Sequence, residues 1–409
     1  MTDWAAIKAD FPVLRQQVHG VPLVYLDSGN TSQKPQQVID AISNYYETIN
    51  ANVHRGSYEI AVKATDALEN ARKRAAVFIN APSAKEVVFT KNATEAMNLL
   101  ARSWGGANLS EGDAVVISEM EHHANIVPWH MLAAEKGIEL RWISVNDDGH
   151  LDLSNLDELL DGAKLLSITA MSNVLGTLNP IERLAEAAHA HGALIAVDGS
   201  QYVPHIATDV QAMGADFLIF TGHKMLGPMG IGVLWAREEI LEAMPPFLGG
   251  GEMILHVTKE GFTTNDIPWK FEAGTPMVAE AVGLAAAIDY LSDIGMDEVR
   301  KHEVELTAYA MRTLKERHGD KITIHGPSEP AERGGVLSFV YDQVHPHDVA
   351  QVLDQKGICV RAGHHCAKPL LQTLQVPATS RVSLYIYNDK SDIDLLAETL
   401  TEASDIFSF

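Results

Sequence analysis

The sequence predicts an α/β fold: a large domain with a mostly parallel sheet flanked by helices, plus a smaller α+β domain. Three observations lead there. Short apolar runs alternate with helical stretches from about residue 86 to residue 236, the pattern of a parallel sheet buried on both faces. Polar residues able to do chemistry fall where those apolar runs end, which is where an open α/β sheet binds ligands. After about residue 290, helices and strands mix without that regular alternation.

The elements follow in chain order. Trp4, Ile7, Phe11 and Leu14 recur at helical spacing, with Thr2 or Asp3 as N-cap and Pro12 ending the helix. This segment reads as an arm packed on a neighbouring domain. Val24, Tyr25 and Leu26 form a short strand before the polar loop Asp27-Ser28-Gly29-Asn30-Thr31-Ser32. Val53-His54-Arg55-Gly56 is a loop before a helix whose apolar face is Ile60, Ala64, Leu68, Ala71, Ala75 and Phe78. A strand at 86–90 leads into Asn92-Ala93-Thr94-Glu95, which opens the next helix. The strand at 114–117 is followed by Glu121-His122-His123-Ala124-Asn125 and a helix over 126–134. Strands follow at 140–145, stopped by Asp148-Gly149, and at 165–170, ending at Ser172-Asn173. A helix around 181–191 leads to strand 193–198, and a further strand occupies 217–220.

Gly249-Gly250-Gly251 and residues 271–276 are loops. An alanine-rich helix starts at Val278 and breaks near Gly295. The rest comprises a helix over 297–316, strands near 321–325 and 335–340, and a helix over 347–356. A strand at 358–361, a polar loop, a strand at 381–387 and a helix from Ser391 complete the chain. The large domain is placed at residues 22–290. The small domain combines residues 1–21 and 291–409 and carries the loop around Cys366.

Bulk properties exclude several function classes. At 409 residues the chain has ample core. A formal net charge of -23 argues against nonspecific nucleic-acid binding. No stretch is long and apolar enough to span a membrane, and the first residues lack the basic and apolar regions of a signal peptide. The two cysteines, Cys359 and Cys366, give no disulfide framework. The expected location is the cytoplasm.

Phe217 to Phe220 is an apolar strand that ends at Thr221-Gly222-His223-Lys224. A lysine at the mouth of a buried strand is poorly solvated, which favours its neutral amine. Such an amine can form a Schiff base with an aldehyde. The neighbouring hydroxyl, N–H and imidazole donors suit a phosphate, so the pair suggests pyridoxal phosphate (PLP). An ordinary solvated lysine is the alternative. The run at 193–198 ends likewise on Asp198, followed by Gly199-Ser200-Gln201. Asp198 either caps the next helix, pairs with an arginine, or faces a pyridinium nitrogen. Asn92 is either a simple N-cap or part of a helix N-terminus that takes phosphate.

The loop Arg361-Ala362-Gly363-His364-His365-Cys366-Ala367-Lys368-Pro369 admits three readings. Adjacent His-His-Cys converges poorly on one ion, so no metal site is assigned. A buried structural cysteine suits Cys359 better than Cys366. A nucleophilic thiolate is the third reading, with cationic neighbours lowering its pKa.

VDGSQ, TGHK and RAGHHCAKP, in that order, resemble fold-type I PLP enzymes of the class V aminotransferase family, and more narrowly the SUF-type (group II) cysteine desulfurases. ADFPVL, YLDS, QKP, VHRG, EMEHHANIVPW, SNVLGT, GGGEMI and FEAGTP extend the likeness along nearly the whole chain. The resemblance implies that Lys224 carries PLP, that Asp198 faces the ring nitrogen, and that Gln201 meets the ring hydroxyl. It places His122 against the ring as a second acid–base group. Ala93, Thr94, Thr221 and His223 are implied for the phosphate, joined by Thr275 from the other subunit of a homodimer. Serine is usual where Thr221 stands, and small apolar residues are usual where Gly29-Asn30 stands.

For the substrate, the resemblance implies Arg381 as the carboxylate clamp, aided by Asn173, with Arg361 and His54 lining the entrance and Asn30 on the bordering loop. Read from the residues alone, Arg381 could instead pair with Asp392 or Asp394, and Asn173 could cap a turn. The implied reaction converts L-cysteine to alanine and leaves a persulfide on Cys366. The sulfur then passes to an acceptor or scaffold protein of iron–sulfur cluster assembly. The nearest alternative is a selenocysteine lyase on the same scaffold. A PLP transaminase and a PLP-free metal-binding scaffold are the others.

Overall fold

The computed structural model describes residues 2–54, 56–342 and 344–407. Among them, seven strands form the principal sheet: β1 (Val87–Thr90), β2 (Ala114–Ser118), β3 (Glu139–Ile143), β4 (Ala163–Thr169), β5 (Leu194–Asp198), β6 (Phe217–Thr221) and β7 (Gly232–Ala236). They lie in the order β1-β7-β6-β5-β4-β2-β3. The pairs β2–β3, β2–β4, β4–β5 and β5–β6 are parallel. Strand β7 runs antiparallel to both β6 and β1. Residues 222–231 are too few for the crossover that a parallel return requires, so the chain reverses.

Why these strands are apolar throughout is clear from their two faces. Leu218 and Phe220 enter one core with Ile195, Val197 and Val116, while Phe217 and Ile219 enter another with Ala196, Val115 and Ile117. Side chains alternate with period two, and helices cover both sides. Helices Glu59–Phe78 and Val278–Ile294 bury Leu68, Ala75, Leu284 and Ile288 on the first face. Ala93–Leu99 and Val127–Lys136 bury Met97, Leu99, Trp129 and Leu132 on the second.

A second, antiparallel sheet follows, in the order β8 (Ile322–Ile324), β9 (Val336–Tyr341), β11 (Thr379–Ser383), β10 (Arg361–Gly363). Helices Met296–His318, Pro346–Gln355 and Lys390–Phe407 accompany it, and its core includes Val24 and Leu26. The short strand Val24–Tyr25 pairs in parallel with Ile358–Cys359, and Asp27 bridges Ser383. At the N-terminus Trp4 stacks on His302 with ring centroids 3.9 Å apart, and Lys8 pairs with Asp389 and Asp392.

Some boundaries differ from the sequence reading. The N-terminal helix stops at Ala9, and Pro12–Arg15 is a separate 3-10 turn. The strand expected at 358–361 is divided: Ile358–Cys359 joins Val24–Tyr25, whereas Arg361–Gly363 joins the four-stranded sheet. The strand expected to reach residue 387 ends at Ser383. Helix Gln36–Thr48 and the hairpin Ile254–Val257 with Phe262–Thr264 add elements the sequence reading passed over.

Candidate active site

Lys224 closes a 3-10 turn, Gly222–Lys224, directly after β6. A Cβ on Gly222 would lie 2.6 Å from Ile231 Cγ2, so only glycine fits there. The turn is braced from the polar loop after Val24–Tyr25. The His223 carbonyl accepts from Thr31 Oγ1, the Ser32 N–H and Lys34 Nζ, each at 3.0 Å. Burial lowers the Lys224 pKa to about 8, with the Asp198 charge opposing and Arg381 adding to the shift. A substantial fraction of neutral amine therefore exists near neutral pH.

Asp198 ends β5, the strand beside β6, and is buried. Its Oδ1 accepts from the Ser200 N–H at 2.9 Å, so one carboxylate oxygen does cap the turn. Both Asp198 and Lys224 line one cleft of about 220 Å³ at the sheet's C-terminal end. Gln201 lines it too. Its Nε2 donates to the Gly29 carbonyl at 2.7 Å, while its buried Oε1 has no partner among the described residues. The cleft wall continues with Ala93 and Thr94, at the start of helix Ala93–Leu99. Asn92 Oδ1 caps this helix through the Glu95 N–H at 2.9 Å, and the earliest N–H groups of a helix have no intrahelical acceptor. Thr221, His223, Asn173 and Asn30 are further predicted residues in this lining.

This donor set fits pyridoxal phosphate. A carboxylate stands for the ring nitrogen, an orphaned amide oxygen for the ring hydroxyl, and a helix start with hydroxyl and imidazole groups for the phosphate. The amine of Lys224 is the group for the aldehyde. Among the described residues, no group of three or more His, Cys, Asp or Glu side chains is placed to hold a metal ion.

His122 also lines the cleft. Its Nδ1 accepts from the Ala124 N–H at 3.1 Å, which puts the ring proton on Nε2. Burial, then the Lys224 charge, lower its pKa to about 3, so the ring is neutral. The next residue, His123, touches the Cys366 turn instead: its N–H donates to the Cys366 carbonyl at 2.7 Å.

Cys366 follows β10 and lies outside the cleft lining, half-buried. Its turn is nevertheless tied to the cleft wall through His123, the residue after cleft-lining His122. Arg381, on β11, is buried. Its Nη1 donates to the Asn173 carbonyl at 3.0 Å and its Nη2 to Asp27 Oδ1 at 3.1 Å. The partners considered from sequence go elsewhere: Asp392 binds Lys8 and Asn388, and Asp394 accepts from Tyr309. Asn173 Nδ2 donates to the His365 carbonyl at 2.7 Å, so Asn173 joins Arg381 to the Cys366 loop. Arg361 is exposed and sits opposite Arg381 in the β10–β11 register.

Two predicted residues lie away from this cleft within the chain. His54 pairs with Glu69 at 3.2 Å and Glu252 at 3.5 Å, which raises its pKa. Arg55 of the same motif is outside the described residues. Thr275 lines a separate pocket with Phe247, Leu248 and Phe271. Sequence reasoning missed Asp27 as the partner of Arg381, although it ends a short apolar run just as Asp198 does. It also passed over Glu121, buried behind the cleft. Its Oε1 accepts from Ser118 Oγ at 2.6 Å and the Thr169 N–H at 3.0 Å, and its Oε2 from Asn125 Nδ2 at 2.7 Å.

Comparison with known proteins follows the same lines. A family model described as aminotransferase class-V matches residues 24–396. A probable cysteine desulfurase of Streptomyces coelicolor is 52% identical over 413 residues, covering 100% of this chain and 98% of the relative. A cysteine desulfurase of Haloferax volcanii is 48% identical over 420 residues, covering 99% of this chain and 98% of the relative. The solved apo cysteine desulfurase of Thermococcus onnurineus NA1 gives a TM-score of 0.90 at 38% identity, covering 96% of this chain and 98% of that one. The cysteine desulfurase CsdA of Escherichia coli gives 0.90 at 36% identity, covering 99% of both chains. With likeness of this extent in sequence and in fold, the chain belongs to the class-V aminotransferase family and stands there among the cysteine desulfurases.

Proposed function

We propose that the chain is a PLP-dependent L-cysteine desulfurase of the SUF type, passing sulfur through a persulfide on Cys366. One juxtaposition carries the reading: Asn173 lines the cleft that contains Lys224 and Asp198 and donates its Nδ2 to the His365 carbonyl at 2.7 Å, and beside cleft-lining His122 the His123 N–H donates to the Cys366 carbonyl at 2.7 Å. The loop bearing the candidate sulfur acceptor is thus tied to the wall of the cofactor cleft.

Bound PLP supplies an electron sink for the substrate's Cα and is held by Asp198, Gln201, Thr94, Ala93, Thr221 and His223. Arg381 receives the substrate carboxylate through its planar fork, with Asn173 fixing the guanidinium and Asn30 and Arg361 at the approach. Lys224 takes the Cα proton, and a neutral amine is the form that can do so. The Nε2–H of His122 is the second proton donor facing the cleft. The Cys366 thiolate attacks the substrate sulfur. A sulfur–sulfur bond forms as the Cβ–S bond breaks, leaving alanine and a persulfide.

The persulfide is passed to an acceptor or scaffold protein of iron–sulfur cluster assembly, and the turn bearing Cys366 is the surface that meets it. His54 is assigned to the substrate entrance. A second copy of the chain completes the phosphate site with its Thr275, in a homodimer. That role suits the apolar surroundings of Thr275 and the exposed Leu255, Val257 and Phe262 on the hairpin. The large domain is assigned to residues 22–290 and the small one to 1–21 and 291–409, with Val24 and Leu26 packing into the second core. No helix of the described residues is long and apolar enough to cross a membrane, and the cytoplasm is the compartment proposed.

Mass spectrometry after adding cysteine tests the reading: Cys366 is expected to gain the mass of one sulfur atom while alanine accumulates in solution. Alanine without that gain would remove Cys366 from the mechanism. Adding the acceptor protein should speed alanine formation, because it discharges the persulfide.

A further inference from the structure

The turn that carries Cys366 is bent against the preference of its residues. His365 and Cys366 have φ of 51° and 55°, a left-handed conformation that side-chain-bearing residues rarely adopt and that persists only where surrounding contacts impose it. Those contacts come from both sheets. From the second sheet, Thr379 Oγ1 lies 2.8 Å from His365 Nε2. From the large sheet's loops, Asn173 Nδ2 donates to the His365 carbonyl at 2.7 Å, and His123 holds the rest of the turn: its N–H donates to the Cys366 carbonyl at 2.7 Å and its Nε2 accepts from the Lys368 N–H at 3.1 Å. One residue therefore holds the turn at Cys366 itself and two residues beyond. Its ring also lies 5.8 Å from that of His364, on the near side of the turn. His122, the preceding residue, lines the cofactor cleft. The cleft wall and the thiol-bearing turn are thus joined through two successive residues.

We propose that His123 is a positioning residue for sulfur transfer, clamping the Cys366 turn so that its thiol is held for attack on the substrate sulfur. This rests on the reading of Cys366 as the sulfur acceptor. The backbone half of the clamp survives any substitution at His123, but the side-chain half does not. Without it the Lys368 end of the turn is released and the left-handed pair can relax. The cofactor cleft keeps its own residues, so substrate binding is untouched and only the sulfur-transfer step suffers.

The test compares holoenzymes of wild type, His123→Ala, His123→Gln, Lys368→Pro and the double variant His123→Ala/Lys368→Pro. Lys368→Pro removes the same hydrogen bond from its donor side, at the first position of helix Lys368–Thr373, where proline is tolerated. His123→Ala and Lys368→Pro are each expected to lower kcat about tenfold, as small misplacements of a reacting group do, with KM and the bound-cofactor spectrum unchanged. The double variant should fall no further, since both changes delete one interaction. His123→Gln keeps a side-chain acceptor and should recover most of the rate. Should His123→Ala fail to fold, Lys368→Pro and His123→Gln carry the comparison. Alkylation of Cys366 by iodoacetamide, resolved from Cys359 by mass spectrometry, reads the turn without any turnover. Both single variants should change its rate by the same factor. Wild-type kcat and alkylation rate in either variant, or losses that add in the double variant, overturn the clamp. Wild-type protein that forms no alanine overturns the desulfurase reading instead, and leaves the alkylation comparison to decide the clamp.

Discussion

Asp27 Oδ1 accepts a hydrogen bond from Arg381 Nη2 at 3.1 Å across 354 residues of chain. The guanidinium is buried and its Nε has no partner among the described residues, so Asp27 and the Asn173 carbonyl hold its orientation. Replacing Asp27 with Ala leaves Nη2 unsatisfied, at a cost of about 1–3 kcal/mol. Urea denaturation should register that loss, and KM for cysteine should rise about tenfold as the fork loses its aim. Asp27→Asn keeps an acceptor and should lie between. Arg381→Lys cannot offer two parallel donors and should raise KM at least as much as Asp27→Ala.

Lys224 sets an expected pH dependence. Burial brings its pKa from 10.5 to about 8, so the reactive neutral amine forms as pH rises through that value. The rate at which cofactor-free protein takes up PLP should therefore climb with pH and be half-maximal near 8, rather than near 10.5. The Asp198 charge raises the lysine's pKa, so Asp198→Asn should move the midpoint to lower pH. A rate flat between pH 7 and 9 would count against the buried amine as nucleophile.

Cys366→Ser separates sulfur from selenium chemistry. Cysteine turnover needs the thiolate as acceptor and should drop about a hundredfold or more. Selenium leaves more readily without an attacking thiol, so cleavage of selenocysteine should persist. Alanine production from both substrates, measured side by side, decides the matter. Undiminished cysteine turnover would refute the persulfide route.

Glu121 offers a stability test behind the cleft. Three donors surround its carboxyl group: Ser118 Oγ, the Thr169 N–H and Asn125 Nδ2. Asn125 cannot turn over to offer its oxygen, because that oxygen already accepts from Trp129 Nε1 at 3.0 Å and Ser167 Oγ at 2.6 Å. A glutamine amide would thus set NH₂ against a donor in either orientation. Glu121→Gln should destabilise the fold by about 1–3 kcal/mol, read as a lowered urea midpoint, despite its near-identical shape.

The sheet and the cofactor cleft were readable in the sequence for one reason. A strand buried on both faces is apolar at every position, so a polar residue at its end stands out; Asp198 and Thr221–Lys224 were found that way. Contacts that join distant segments left no such mark. Asp27 and Arg381 are far apart in the chain, and the acids considered for Arg381 from the sequence, Asp392 and Asp394, have other partners. Helix Gln36–Thr48 did leave a mark, Val38, Ile42 and Tyr45 at helical spacing toward the core, and the sequence reading passed over it. The run 358–361 looks like one strand because each residue type suits a strand, yet the chain passes between two pairings within it. The expected role of Thr275 concerns a second copy of the chain, and His54 pairs with Glu69 and Glu252 instead of joining the cleft lining.

The short strand Val24–Tyr25 gains its ladder partner from Ile358–Cys359, and Asp27 gains its bridge from Ser383. During synthesis, then, the first segment of the active site emerges from the ribosome more than three hundred residues ahead of the strands that will receive it. The cofactor cleft of the large sheet can assemble on the nascent chain before that, but Asp27 and Asn30 must wait for nearly the last stretch to be made. A polypeptide cut short before residue 383 would own a sheet able to cradle its ring and no hand to grip its substrate.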